Sequence, residues 1–323
     1  VKQAAGQSFG SLVRAEATAI YDKVVYLDRL HGLDGNSGDS WESPVLTING
    51  ACDKFYGGDY DAALGRHYAI VYRGSTTTAR AFTSLQVIDV PGVHLIGAGA
   101  WYGHGGGSNS CFVAGSSSGY AYPAALVVEE NGCSIEGMKF YMPSEYAKAT
   151  PYEFFVGSGD TVDLAVVNNQ FIGANADGVM TSKYVAGVGA QGGEGGYYAG
   201  NEFMYCYWGI MGSAGSSRYF HKNKIEYNRM FGCAKGIYFP DAYGIENSIE
   251  GNIILRPSPS GTAYGYTMTG GIDFGGNPSG NFCTHNFVGH ATKTTAFVKG
   301  SGTNYWDLNY YDAGSGGTLY DGG

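Results

Sequence analysis

A short unit, asparagine followed two positions later by an apolar residue, recurs through the second half of this chain. It appears as Asn169-Gln-Phe171, Asn201-Glu-Phe203, Asn223-Lys-Ile225 and Asn252-Ile-Ile254, with His285-Asn286-Phe287 as an imperfect fifth. Successive apolar positions lie 32, 22, 29 and 33 residues apart. Between them fall Gly-apolar units, Gly178-Val179, Gly209-Ile210, Gly236-Ile237 and Gly271-Ile272. A period of about 20–50 residues points to a solenoid or a propeller. A propeller would show more even blades and antiparallel hairpin signals. The unequal intervals instead predict stacked coils that release loops of different length, including 181–200 and 257–270. The expected fold is therefore all-β, a right-handed parallel β-helix. Coils ~4.8 Å apart would turn their apolar residues inward, with Asn and Gly supplying left-handed turns.

Composition agrees with many short strands and tight turns. Glycine is 54 of 323 residues, yet no G-X-Y period exists, which excludes collagen. Charged residues are 15% and tyrosines number 27, the reverse of a disordered chain. The formal charge of −9 would repel a phosphate backbone, so nucleic acid is not an expected partner. No apolar run approaches the ~18 residues of a membrane span. The first ten residues, VKQAAGQSFG, carry no apolar leader stretch, so localisation cannot be read from them. None of the six cysteines lies in a C-x-x-C pair, so buried free thiols are expected rather than zinc ligands.

The chain divides into an N-terminal arm (1–24), a cap (25–66), the coiled body (67–312) and a Gly-rich tail (313–323). In the arm, Phe9, Leu12, Val13, Ala17 and Ile20 follow helical spacing. The cap begins with an apolar strand over Val24, Val25, Tyr26 and Leu27, then a polar loop. Ser43-Pro44 predicts the start of a helix carrying Val45, Ile48, Cys52 and Phe55 on one face. A solenoid needs such a cap, because its end coil otherwise exposes core and strand edges.

These segments resemble the opening of pectin-lyase-like β-helix proteins. The likeness is carried by the Gly32-Leu-Asp-Gly-Asn36 loop, Ser40-Trp41, Ser43-Pro44, and Thr47-Ile48 leading into Ala51. Tyr68 to Tyr72, Arg73-Gly74, and Gly92 to Gly99 are similar to the first full coils of that superfamily. The resemblance spans residues 23 to 310 and is most like bacteriophage virion β-helix proteins. It implies a rigid display rod, and it implies a homotrimer.

Linear catalytic motifs are sparse. Gly103-His104-Gly105 matches one of the four motifs of β-helix galacturonan hydrolases, and the other three are absent. Arg256-Pro257 opens a phrase like that of pectate lyases, without its second arginine. No nucleophile elbow and no phosphate-binding loop is present. Aligning the Gly-apolar units places Asp177, Trp208 and Lys235 at one position and Met180, Met211, Tyr238 and Asp273 at another. With Val179, Ile210, Ile237 and Ile272 inward, Asp177, Trp208, Lys235, Tyr238 and Asp273 would share an outer face. On that face Asp177, Lys235 and Asp273 are catalytic candidates, and Trp208, Tyr238, Tyr207 and Asp241 are glycan-binding candidates. Asp34, Asn36 and Asp39 have calcium-like spacing but lack the distal glutamate, which favours an Asx-rich turn; no cofactor and no metal are expected.

Three functions fit these residues. The preferred expectation is a virion spike, fibre or capsid decoration protein, attached to other virion proteins through residues 1–24 and contacting host-surface polysaccharide. The alternatives are a secreted polysaccharide lyase or glycoside hydrolase, and a bacterial surface adhesin.

Overall fold

The computed structural model describes residues 21–56, 65–73, 85–97, 108–111, 124–141, 153–173, 185–212, 219–255, 268–289, 293–312 and 317–320. Among these, the strands form sheets of ten, nine, eight and three strands. From Val93–Gly97 onward the described chain visits the ten-, nine- and eight-stranded sheets in repeating order, and enters the three-stranded sheet on three of these circuits. Tyr197–Ala199 lies in the ten-stranded sheet, Glu202–Met204 in the nine-stranded, Trp208–Gly212 in the eight-stranded and Phe220–His221 in the three-stranded. Lys224–Glu226 then returns to pair in parallel with Tyr197–Ala199, one circuit later. The next circuit, through Arg229–Phe231, Lys235–Tyr238 and Gly244–Ile245, repeats the parallel pairing in each sheet. An antiparallel pair joins Asn309–Asp312 to Gly317–Tyr320. This is an all-β, multi-sheet parallel fold.

The sheets enclose one continuous apolar core. Phe171, Phe203, Ile225 and Ile254, the apolar ends of four Asn-x-apolar units, are all fully buried in it. Phe140, Phe171 and Phe203 stack at 4.8 Å between successive ring centroids, nearly coplanar. That spacing is the inter-strand distance of a sheet, so identical ring positions necessarily stack. Cys52, Cys133, Cys206, Cys233 and Cys283 are buried free thiols, as expected.

The asparagines form two ladders, where the sequence reading had merged them into one. Asn169, Asn201, Asn228, Asn252, Asn286 and Asn309 make the first, spaced by 32, 27, 24, 34 and 23 residues. Asn223, Asn247, Asn281 and Asn304 make the second, spaced by 24, 34 and 23. Asn223 belongs to the second ladder, and the intervals within each ladder stay unequal because the circuits differ in length. After the first member of each ladder, whose Oδ1 accepts from Met138 or Gly196 N–H, the Oδ1 accepts from the backbone N–H and the Nδ2 of the asparagine one circuit earlier. The Nδ2 also donates to a buried backbone carbonyl, as Asn228 does to Tyr198. Turns buried inside a stack cannot reach water, so the amide supplies the partners that their backbone groups require.

The left-handed residue at these turns is not the ladder asparagine, as expected, but the one before it. Asn168, Gly200, Tyr227, Gly251, His285 and Leu308 have φ between 49° and 63°. The ladder asparagine is selected for its amide, and the preceding position for tolerance of the turn.

The segment expected to form a cap departs from expectation in detail. The strand is Lys23–Asp28, but the helix is Ile48–Tyr56, starting after Ser43-Pro44. Val45 instead bridges in parallel to Leu27. Thr47 is the effective cap, its Oγ1 accepting from Gly50 N–H at 2.9 Å, while Gln86 Oε1 accepts from Ile48 N–H. Segment 181–200, expected as a loop, contains strands Val185–Ala190, Gly193–Glu194 and Tyr197–Ala199. Its glycines read as loop residues, but at Gly187 a Cβ would lie 2.5 Å from the Gly209 carbonyl of the next coil, so glycine is what the strand requires. The arm helix over Phe9 to Ile20, Gly103-His104-Gly105 and Arg256-Pro257 lie outside the described residues.

Candidate functional site on the outer face of the eight-stranded sheet

Ile210, Ile237 and Ile272 are in register and fully buried in the core, as predicted. One row of partners is Trp208, Lys235 and Gly270, and another is Met211, Tyr238 and Asp273. Trp208 lies two residues before the inward Ile210, where strict alternation would turn it inward. Yet it packs in a separate apolar cluster with Ala124, Val127, Ala186 and Met211 on the outer face. The break falls at Gly209, Gly236 and Gly271. A Cβ on Gly209 would stand 2.6 Å from the Gly236 carbonyl, one on Gly236 2.7 Å from that of Gly271, and one on Gly271 2.5 Å from that of Ala296. This glycine column lets successive coils approach closely and re-aims the residue before it outward.

The first unit was misaligned in the sequence reading. Val188 and Gly189, not Val179 and Met180, pair with Ile210 and Met211, and the true Gly-apolar unit is Gly187-Val188. The register partner of Met211 is Gly189, and Asp177 and Met180 lie outside the described residues.

Lys235, Tyr238 and Asp273 come together. Lys235 Nζ is 2.7 Å from Asp273 Oδ2 and 3.4 Å from the centroid of the Tyr238 ring. Asp273 Oδ1 accepts from Gly275 N–H at 2.8 Å. The carboxylate has room because position 270 is glycine, where a Cβ would lie 2.9 Å from Asp273 Oδ2. Sequence reasoning missed Gly270, although the Gly270-Gly271 doublet was a visible signal. Asp273 is 5% exposed, and the Lys235 side chain 21%.

The aromatic candidates form a wall beside this pair. The Trp208 ring lies 5.5 Å from that of Tyr238 and 5.2 Å from that of Tyr207. Trp208 is itself buried at 7% exposure, so it supports the half-buried Tyr207 and Tyr238 rather than offering a free platform. Asp241 sits in the turn after the Lys235–Tyr238 strand, its Oδ1 accepting from Tyr243 N–H at 2.9 Å. A neutral wall and a compensated charge pair can hold a polar ring substrate and exchange a proton with it.

Asp34, Asn36 and Asp39 are not gathered here. Asp34 Oδ1 accepts from Leu46 and Thr47 N–H, and its Oδ2 from Thr47 Oγ1. Asn36 Nδ2 donates to the Pro44 carbonyl, and Asp39 N–H to Ser37 Oγ. These bonds hold the loop against the helix start. Among the described residues, no group of three His, Cys, Asp or Glu side chains is placed to hold a metal ion.

No family model and no curated protein matches the chain. Solved structures do. The GH136 lacto-N-biosidase from Eubacterium ramulus matches at TM-score 0.47 and 11% identity, over 94% of this chain and 61% of that one. The DFA-IIIase from Arthrobacter chlorophenolicus A6 in complex with GF2 matches at TM-score 0.45 and 13% identity, over 88% and 80%. The same enzyme without its lid matches at TM-score 0.38 and 12% identity, over 89% and 87%. This chain thus spans less than two thirds of the length of the lacto-N-biosidase. Likeness at this level assigns no activity to the chain.

The similar structures are enzymes, not virion proteins. On that finding the likeness to phage β-helix proteins, the spike, fibre or decoration role, virion localisation, the homotrimer and attachment through residues 1–24 are corrected. Few charges, abundant tyrosine and a coiled parallel scaffold are shared by display rods and enzymes alike, so they could not separate the two. Among the described residues, no helix is long and apolar enough to cross a membrane.

Proposed function

We propose that this chain is a glycan-cleaving enzyme, a polysaccharide lyase or glycoside hydrolase, with its centre at Lys235 and Asp273. The proposal includes a finer reading of the fold: a right-handed parallel β-helix over 67–312, capped by 25–66. The repeating order of sheet visits and the helix packed at one end support that reading.

One observation carries the function. Lys235 and Asp273 form a largely buried ion pair on an outward face, beside Tyr238 and Tyr207. Water is nearby in any open solenoid face, so withdrawing two charges from it costs free energy that apolar residues would not incur. An ion pair beside aromatic side chains offers a sugar both a polar anchor and an apolar wall. There Asp273 exchanges a proton with the sugar, and Lys235 compensates the charge that develops.

The test is a screen against neutral and acidic polysaccharides, following new reducing ends and the ultraviolet absorbance of new unsaturated ends. Reducing ends alone identify a hydrolase, and unsaturated ends a lyase. Binding of glycans with no cleavage of any of them would reject the enzymatic reading.

A further inference from the structure

The outer face of the ten-stranded sheet carries a different arrangement. Ala69, His94, Ser134, Ala165 and Tyr197 are register partners on successive strands. His94 Nδ1 lies 2.7 Å from Ser134 Oγ, and His94 Nε2 lies 3.2 Å from His67 Nδ1. The contacts suit a serine–histidine pair when His94 carries its proton on Nε2. The Ser134 hydroxyl donates to His94 Nδ1, and His94 Nε2–H donates to His67 Nδ1. His67 is held in place by its backbone, its N–H donating to Asp22 Oδ2 and its carbonyl accepting from Asp22 N–H, both at 2.8 Å.

The surroundings are those of a site edge. Val24, Tyr26, Ala69 and Val71, with Tyr21, Trp41 and Ile96 against them, cover the N-terminal end of this face. Ser134 is half-buried where that cover stops. The next position along the row, Ala165, offers only a methyl group, and Tyr197 beyond it is exposed. On that side Ser134 therefore has only the Ala165 methyl group as its neighbour in the row. Burial, with the neighbouring His67, pushes the His94 pKa down to about 4, so its ring is uncharged at neutral pH.

We propose that Ser134, His94 and His67 form a second site, a Ser-His-His hydrolase centre for small O-acyl esters. Ser134 Oγ attacks the acyl carbon as its proton passes to His94 Nδ1. The carbon–alkoxy bond then breaks, and the departing alcohol takes the proton from His94. Water, deprotonated in turn by His94, attacks the acyl-serine and releases the carboxylic acid and free Ser134. His67 is a positioning residue: it accepts the Nε2–H and fixes the tautomer. The titratable groups packed around His94 are His67, Tyr21 and, beside Tyr21, Glu136.

The test uses the full chain with 4-nitrophenyl acetate and diisopropyl fluorophosphate. The fluorophosphate is expected to label Ser134, located by peptide mass spectrometry. Ser134→Ala and His94→Asn should each lower ester turnover by about 100-fold or more. His67→Ala should lower kcat with little change in KM, and His67→Gln, whose side-chain oxygen can accept the Nε2–H, should recover most of the loss. Absence of label on Ser134, or equal turnover in Ser134→Ala and the unsubstituted protein, would overturn the proposal. Either outcome is independent of glycan cleavage at Lys235 and Asp273.

Discussion

Asn228 Oδ1 accepts two hydrogen bonds from Asn201, one from its backbone N–H and one from its Nδ2, both at 3.0 Å. The same pattern repeats at every step of the ladder, so each amide is both satisfied and satisfying. Asn228→Ala leaves the buried Asn201 backbone N–H without its acceptor and removes the amide donor to the Tyr198 carbonyl, while Asn201 Nδ2 keeps the Val166 carbonyl and Asn252 Oδ1 keeps the Asn228 N–H. It should lower unfolding free energy by about 3 kcal/mol. Asn228→Asp should cost more, because a carboxylate oxygen then faces Asn252 Oδ1. Urea midpoints decide this, and a loss of less than about 1 kcal/mol for Asn228→Ala would count against the ladder as a structural necessity.

The pairing of Lys235 with Asp273 predicts non-additive substitutions. Lys235→Met alone leaves a buried carboxylate and should cost about 3 kcal/mol. Lys235→Met combined with Asp273→Leu should recover most of that loss, while abolishing glycan cleavage. A double variant as unstable as the sum of the single ones would show no coupling between the two side chains.

Acid should act through His94. Its pKa in the folded protein, about 4, lies below the ordinary value of 6.5, so between those values the unfolded chain binds more protons. Stability conferred by this neutral histidine is present above the unfolded value and is lost as pH falls toward 4. Discounted for the partial exposure of the ring, the loss is about 1–2 kcal/mol. His94→Gln should flatten the dependence of unfolding midpoint on pH across that window. An equally steep slope in the variant would assign it to other groups.

Thiol accessibility reports on the core. Burial pushes Cys133 and Cys233 up to about 12, and Cys52, Cys206 and Cys283 well above their ordinary value. In the native protein these five should resist a disulfide reagent over hours at neutral pH, and all should react in denaturant. Rapid native reaction of Cys206 or Cys233 would place them outside the core.

The coiled parallel pairing was legible because it repeats: Phe171, Phe203 and Ile254 recur at positions the stack makes equivalent. Their burial follows from a pattern visible in one dimension. The two ladders were not separable, because Asn223-Lys-Ile225 and Asn201-Glu-Phe203 look alike until pairing shows which corner each occupies. The outer row was half legible. Lys235, Tyr238 and Asp273 were expected on one face and do meet. The alignment of Val179 failed, because Gly178-Val179 and Gly187-Val188 are indistinguishable as strings and only register selects the second. The Ser134–His94 contact was invisible, since it joins residues 40 positions apart with no local motif around either. The virion reading failed for another reason: a scaffold's composition says how it stacks, not what its face does.

The most direct test of the central claim is oligosaccharide release from a cleaved polysaccharide by the unsubstituted protein and by Asp273→Asn, at matched folded concentration. The account predicts that release falls by about 100-fold or more in the variant, with binding of the intact glycan retained. Release at the unsubstituted rate from Asp273→Asn would contradict it.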